Sequence, residues 1–304
     1  MAKRQGANVS RLAKTLNSGK FAVTCELNPP KGVDLTSLYE KAEALKEIAV
    51  AINVTDSASS RMTMGNIAVA HLLLDRGIDP ILQITCRDRN RLALQSELLA
   101  AYGLGITNML FMSGDPPSGG DHPEAKAVFD LNTSELLAAA RSLVLGKDMA
   151  GNDLNGAPEM FTGAVVNPGA EDLDVEIRRM EEKIEAGAQF FQTQAVYDPQ
   201  AFEGFMVRVE GFRVPILAGV IVPKSPNMAR YLNDKVPGIN VPAFLIDEME
   251  TANDRRATAV SISARIIEAV REMCQGVHIM AIGWESSIPD IVKAAGLQTD
   301  HQEL

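Results

Sequence analysis

The chain has 304 residues, 46% hydrophobic and 22% charged, enough apolar material for one large α/β domain or two small ones. A net charge of −10 argues against nucleic acid or an anionic membrane surface as the main partner, while leaving room for a local basic pocket. Three scattered cysteines, with no Cys-x-x-Cys or His-x-x-x-His pair, exclude a disulfide framework, offer no metal site and fit a reducing cytoplasm. Residues 1–20 are basic and polar and lack the apolar core of a signal peptide. Leu12 and Leu16, four apart, predict a short helical extension ahead of a domain over residues 21–304. Residues 21–27 read as a strand that Pro29-Pro30 must end, because proline has no N–H for a ladder. Glu26 then lies at a strand's C-terminal edge, where α/β proteins hold their chemistry, although a structural ion pair is an equally physical use of it. Asp34 is placed to cap a helix carrying Leu35, Leu38, Ala42 and Leu45. Further strand-like runs follow at 51–54, 80–84, 108–112, 161–166, 190–193, 215–221 and 278–282. Before the sixth run, Leu173, Ile177, Met180 and Ile184 form a helical stripe that Gly187 is placed to close. Glu176, Arg179 and Lys183 are expected on the opposite face, as a solvated salt-bridged surface or as a cradle for a ribityl chain or diphosphate. The longest apolar stretch, 214–222, is far short of the roughly 20 residues that span a bilayer.

Eight strand-like runs alternating with helices predict a single-domain (β/α)8 TIM barrel, with a doubly wound open sheet as the alternative. No Gly-x-Gly-x-x-Gly follows an early strand, which disfavours a Rossmann domain. Two loops, 116–126 and 145–158, are rich in Gly, Pro, Asn and Asp, and the first follows a strand end directly, so function is expected there. On a barrel, the residues just past each strand converge: Glu26, Thr55 to Ser57, Gln83 with Thr85 to Arg89, Ser113 to Asp115, Asn167, and Gln192 to Gln194. Such a ring has few histidines and no evident nucleophile. It suits a large polar heterocycle with hydride or proton transfer better than covalent acyl chemistry. Asp115 sits in a Gly-Asp-Pro-Pro turn that turn chemistry alone also explains. The Gln194 amide offers both a donor and an acceptor to a pterin or flavin edge.

The segments CELNPPK, INVTD, QITCRD, MSGDPP, the helix DLDVEIRRMEEKIEAGAQ running into FFQTQAVYD, and VPILAGVIVPKS with INVPAF resemble the methylenetetrahydrofolate reductase family in order and spacing, from about residue 21 to residue 297. The resemblance implies a barrel with non-covalent FAD, or FMN in its place. By ping-pong transfer, hydride from NAD(P)H or from a partner redox subunit would reduce 5,10-methylenetetrahydrofolate to 5-methyltetrahydrofolate. It implies a cytoplasmic homo- or hetero-oligomer in one-carbon metabolism and methionine biosynthesis. Glu26 would be the general acid, a role that needs a proton held near neutral pH and that partial burial beside Pro29 and Pro30 favours. Asp115 would be the second catalytic residue, near flavin and pterin, and Gln194 a folate contact. Thr55, Gln83, Ser113, Gly114, Asn167, Glu176, Arg179 and Lys183 would contact the flavin. Three departures stand out. The family's usual Arg-Gly-Asp reads Ser113-Gly114-Asp115, a frequent His on strand three is Gln83, and Leu-Asn-Arg after strand eight reads Ile282-Gly283-Trp284. Arg87, Arg89 and Arg91 are candidates for the missing phosphate contact. The altered Ser113 and Trp284 leave a second class open, a non-redox folate-binding or methyl-transfer subunit on the same barrel. A third is an unrelated barrel enzyme, since a fold alone fixes no function.

Overall fold

A computed structural model describes residues 10–297. Its strands are β1 (Ala22–Leu27), β2 (Ala51–Val54), β3 (Pro80–Thr85), β4 (Asn108–Met112), β5 (Phe161–Val166), β6 (Phe190–Ala195), β7 (Ile216–Ile221) and β8 (Gly276–Met280). They pair in parallel and in sequence order, and β8 closes on β1, so the expected (β/α)8 barrel is the fold. Parallel neighbours need long crossovers, and helices supply them. The helices are α1 (Arg11–Asn17), ahead of the first strand, α2 (Thr36–Leu45), α3 (Asn66–Leu74), α4 (Arg91–Gly103), α5 (Thr133–Val144), α6 (Leu173–Ala186), α7 (Pro199–Val209), α8 (Pro226–Lys235), α9 (Ala243–Glu250) and α10 (Arg255–Val270) in the crossovers, and α11 (Ile288–Ala294) after the last strand. No helix among the described residues is long and apolar enough to cross a membrane.

Strand side chains alternate, so every strand has an outer set facing helices and an inner set filling the barrel. Val23, Cys25 and Leu27 join the large core between strands and helices. Ala22, Ala51, Ile81, Leu110, Phe190 and Leu217 form a separate apolar layer within the barrel's N-terminal half. Leu12 and Leu16 of α1 complete that layer from below, so the helix expected from their spacing stoppers the barrel. Its seat is polar: the Leu12 N–H donates to Asp79 Oδ2 at 3.2 Å, and Asn108 Nδ2 donates to Oδ1 at 3.1 Å. Burial pushes the Asp79 carboxyl above its usual range against those donors. Within the same half, a methyl on Gly163 would lie 2.4 Å from the Phe190 ring, which stacks on Phe161 with centroids 5.0 Å apart. Gly163→Ala is therefore expected to cost about 1–3 kcal/mol by overpacking, read as a lower urea midpoint at unchanged slope.

Two local expectations need correction. The cap of α2 is Leu35, because Asp34 Oδ1 instead accepts from both Thr36 N–H and Thr36 Oγ1, at 2.9 and 2.7 Å, in a turn one residue earlier. The eighth strand begins at Gly276 rather than at 278, because a glycine is needed where a Cβ would lie 2.3 Å from Ala22 O. It ends before Ile282, whose φ of 47° is incompatible with a strand. The loop 145–158, the second of the two long loops, joins α5 to β5 and so lies at the barrel's N-terminal end, away from the mouth, tied by a Lys147–Asp153 bridge.

Candidate active site

The strands' C-terminal ends open into a cleft of about 1070 Å³, the face on which barrels of this class carry their chemistry. Its floor is a layer of polar inner side chains lying directly above the apolar one. Asn53 Nδ2 donates to Gln192 Oε1 at 2.7 Å, and Gln192 Nε2 returns a bond to Asn53 Oδ1 at 3.1 Å and reaches Thr24 Oγ1 at 3.4 Å. Glu26 stands above this floor with its side chain 17% exposed, and its Oε2 is 3.8 Å from His278 Nε2. His278, buried on β8, was given no role by the sequence reading. Counting inward positions by twos along β8 and closing the barrel would have found it.

The wall from β2 and β3 is built on an ion pair. Arg89 forks onto Asp56 at 2.8 and 3.0 Å and reaches Glu97 at 2.5 Å. Burial alone would push the Asp56 carboxyl up, but Arg89 and the N–H and O–H of Thr85 outweigh it and hold the carboxyl below the usual range. Thr55 Oγ1 donates to Asn28 Oδ1 at 2.7 Å. Of the three candidate arginines, Arg89 is thus engaged in structure and Arg91 pairs with Asp130 away from the cleft. Arg87 lines the cleft, with a buried guanidinium held by Asp88 at 2.6 Å and donating to Ser60 Oγ at 3.0 Å.

Ser113, Gly114 and Asp115 form the lip after β4. Gly114 has φ 87°, and a Cβ there would lie 2.9 Å from Thr85 Cβ, so both backbone and space require glycine. The Asp115 carbonyl accepts from Ser60 Oγ at 2.6 Å, while the residue is exposed at the mouth. The loop 116–126 that follows is fastened over the β1 and β2 loops by Asp121, which binds Lys31 and accepts from the Met62 N–H at 3.0 Å. On the far side, Gln194 Oε1 accepts from the Ala195 N–H at 3.0 Å at the register shift in β6.

Asp172 caps α6 and Gly187, at φ 124°, ends it. The charged face of this helix is not opposite its apolar stripe. A helical step of 100° per residue puts Glu176 and Lys183 about 60° from Leu173 and Met180, at the seam with β5. Glu176 Oε1 accepts from the Asn167 N–H at 3.0 Å, and Lys183 Nζ donates to Val165 O at 2.8 Å. Burial pushes the Lys183 ammonium below its ordinary range. Arg179 stays outside: its side chain is 64% exposed, 4.0 Å from Glu176, and it does not line the cleft. Glu26, Thr55, Gln83, Ser113, Gly114, Asp115, Asn167, Glu176, Lys183 and Gln194 all do. Also missed was the roof. Tyr231 and Lys235 of α8 overhang the cleft, and Lys224 beside them donates to Ile282 O at 2.5 Å. The long β7-to-β8 segment, with three helices where one suffices, was the available signal. No cluster of three metal-ligating side chains occurs among the described residues.

The family model "Methylenetetrahydrofolate reductase" matches residues 11–296. The chain belongs to the methylenetetrahydrofolate reductase family. It is similar to methylenetetrahydrofolate reductase 1 of Schizosaccharomyces pombe, at 25% identity over 294 residues, covering 91% of this chain and 46% of that protein. It thus spans a little under half the length of that relative. It is also similar to 5,10-methylenetetrahydrofolate reductase of Escherichia coli, at 23% identity over 255 residues, covering 82% of this chain and 80% of that one. Among solved structures, a Clostridium thermocellum protein described as binding two copies of 5-methyl-5,6,7,8-tetrahydrofolic acid superposes with a TM-score of 0.57. It shares 16% identity, covers 93% and 97% of the two chains, and shows the barrel alone.

Proposed function

We propose that the protein reduces 5,10-methylenetetrahydrofolate to 5-methyltetrahydrofolate in the cytoplasm, using bound FAD, or FMN in its place, and electrons from NAD(P)H or a partner redox subunit. The observation that carries this reading is the placement of Glu26, a partly buried carboxyl beside His278, at the floor of a cleft whose lining also carries amides, hydroxyls and cations. The cleft suits a flavin. Its volume lies at the top of the roughly 300–1,000 Å³ range of small-molecule pockets, as a cofactor stacked with a substrate requires. Two cations line it, buried Arg87 and half-buried Lys183, and would serve a phosphoryl group and a polyol chain. Thr55, Gln83, Ser113, Gly114, Asn167, Glu176 and Lys183 would hold the group, while Arg179 stays outside the cleft. A bound flavin supplies two-electron acceptor and donor chemistry that no side chain here provides.

In this reading Glu26 gives its proton to a nitrogen of the substrate's five-membered ring. The N–H bond forms as the bridging C–N bond breaks, and the resulting cation accepts hydride. Asp115, exposed at the lip, offsets that cation's charge, and Gln194 presents donor and acceptor to the pterin edge. An absorbance spectrum followed by anaerobic additions tests the reading. A flavin that is bleached by NADH and recovers with methylenetetrahydrofolate supports it. A protein that takes up no flavin on reconstitution belongs instead to the folate-binding or methyl-transfer class. Lys183→Ala is expected to weaken flavin retention about tenfold or more, the scale of one charge-assisted hydrogen bond. Equal flavin content after gel filtration would return that lysine to a purely structural role on Val165 O.

A further inference from the structure

Glu26 and His278 face each other across the seam where β1 meets β8, and the hydrogen bonds of Thr24 at that seam bear on which nitrogen of the imidazole does what. Thr24 Oγ1 lies 3.2 Å from Val277 O, to which it can only donate, and 3.0 Å from His278 Nδ1. Gln192 Nε2, a donor, approaches the same hydroxyl at 3.4 Å. A hydroxyl has one proton. With that proton on Val277 O, the oxygen accepts from His278, so Nδ1 carries hydrogen and Nε2 keeps its lone pair. Nε2 is the nitrogen 3.8 Å from Glu26 Oε2. Thr24 is wholly buried and His278 nearly so, so solvent does not compete at Nδ1.

We propose that Glu26 and His278 hold a single proton between them, and that Thr24 is a positioning residue that turns the acceptor nitrogen of His278 toward the carboxyl. The proposal deepens the reductase reading and rests on it. When Glu26 protonates the substrate nitrogen, its O–H bond breaks and a carboxylate remains. His278 Nε2 then takes a proton from solvent in the cleft and passes it to Oε2, which resets the acid. Contacts of this length are usual before substrate closes a site. Among the described residues, no other group packed around the pair competes for the proton. β2, β6 and β7 present Asn53, Gln192 and Gly219, none of them titratable. On β1, Cys25 is pushed up by burial and remains a neutral thiol, and beyond β8 Glu285 is engaged by Lys41 Nζ at 3.1 Å.

The test reads the ring nitrogens directly. 15N spectra of the flavin-loaded protein, with His278→Gln identifying His278 among the four histidines, should show Nδ1 protonated and Nε2 bare. Thr24→Val, which keeps the shape and removes the hydroxyl, should move protons onto Nε2, and Glu26→Gln should shift the Nε2 signal. In turnover, Thr24→Val should lower kcat for folate reduction on the order of tenfold, the usual cost of removing the outer partner of a functional imidazole, with KM and flavin reduction unchanged. Thr24→Ser should restore the rate. An Nε2-protonated ring in the wild type, an Nε2 signal indifferent to Glu26→Gln, or a Thr24→Ser variant as slow as Thr24→Val would each overturn the proposal. Wild-type protein that reduces no folate would overturn the reductase reading instead, leaving the ring spectra to decide the pair on their own.

Discussion

Glu26→Gln is expected to slow reduction of methylenetetrahydrofolate by roughly 10²–10⁴-fold, the range that a positioned general acid contributes, while the bound flavin is bleached by its electron donor at the wild-type rate. The amide has the shape of the carboxyl and keeps a hydrogen-bonding role, but it has no proton to give. The two half-reactions therefore separate a proton donor from a wall of the pocket. Stopped-flow traces of each half-reaction make the measurement, and equal losses in both would remove Glu26 from the acid role. At 17% side-chain exposure beside His278, the substitution removes no buried charge pair, so the variant should fold as the wild type does.

Asp56→Ala is expected to cost about 3–5 kcal/mol of stability, because it leaves a buried guanidinium short of its partner. Asp56 and Arg89 have side-chain exposures of 7% and 18%, which keeps solvent screening low. Arg89 would retain Glu97, a carboxyl that burial already pushes above its usual range. The loss should appear as a lower urea midpoint at unchanged slope. It should also depend on pH with a definite sign. The native carboxyl is held below the unfolded value, so its contribution is complete above about pH 3.9, where an unfolded aspartate ionises, and disappears as pH falls through the lower native value. The gap between wild type and variant should therefore close in acid and stay constant near neutrality. A gap that widens in acid would mean that Asp56 is not the ionised partner of Arg89.

Much of the fold was legible because local and global preferences agree. The run Ala-Ile-Asn-Val at β2 and the run Asn-Met-Leu-Phe-Met at β4 are strands over the residues their patterns indicate. The cleft-lining residues at strand ends were legible for the same reason, since the end of a parallel strand is marked by the first polar or turn-forming residue. What escaped was decided at long range. His278 meets Glu26 only because the barrel closes, and no periodicity within either segment records that. Choosing among Arg87, Arg89 and Arg91 required knowing that Asp56 and Glu97 converge on the middle one. The α6 face was misjudged by angle. Glu176 and Lys183 flank the apolar stripe, and a flank facing a strand end is interior. The β8 start was hidden because its first residue is a glycine required by close contact rather than by strand preference.

The seam between β8 and β1 has a kinetic meaning as well. It is the clasp of the ring, joining segments from opposite ends of the chain, and such distant pairings are the slowest to form. The two halves of the Glu26–His278 couple lie on either side of that clasp. A nascent chain can assemble seven strands and every helix up to α10 and still lack the Glu26–His278 contact. That contact arrives with β8, and a ligand gripping both sides of the joint would act as a staple, holding the ring shut by the free energy of its own binding.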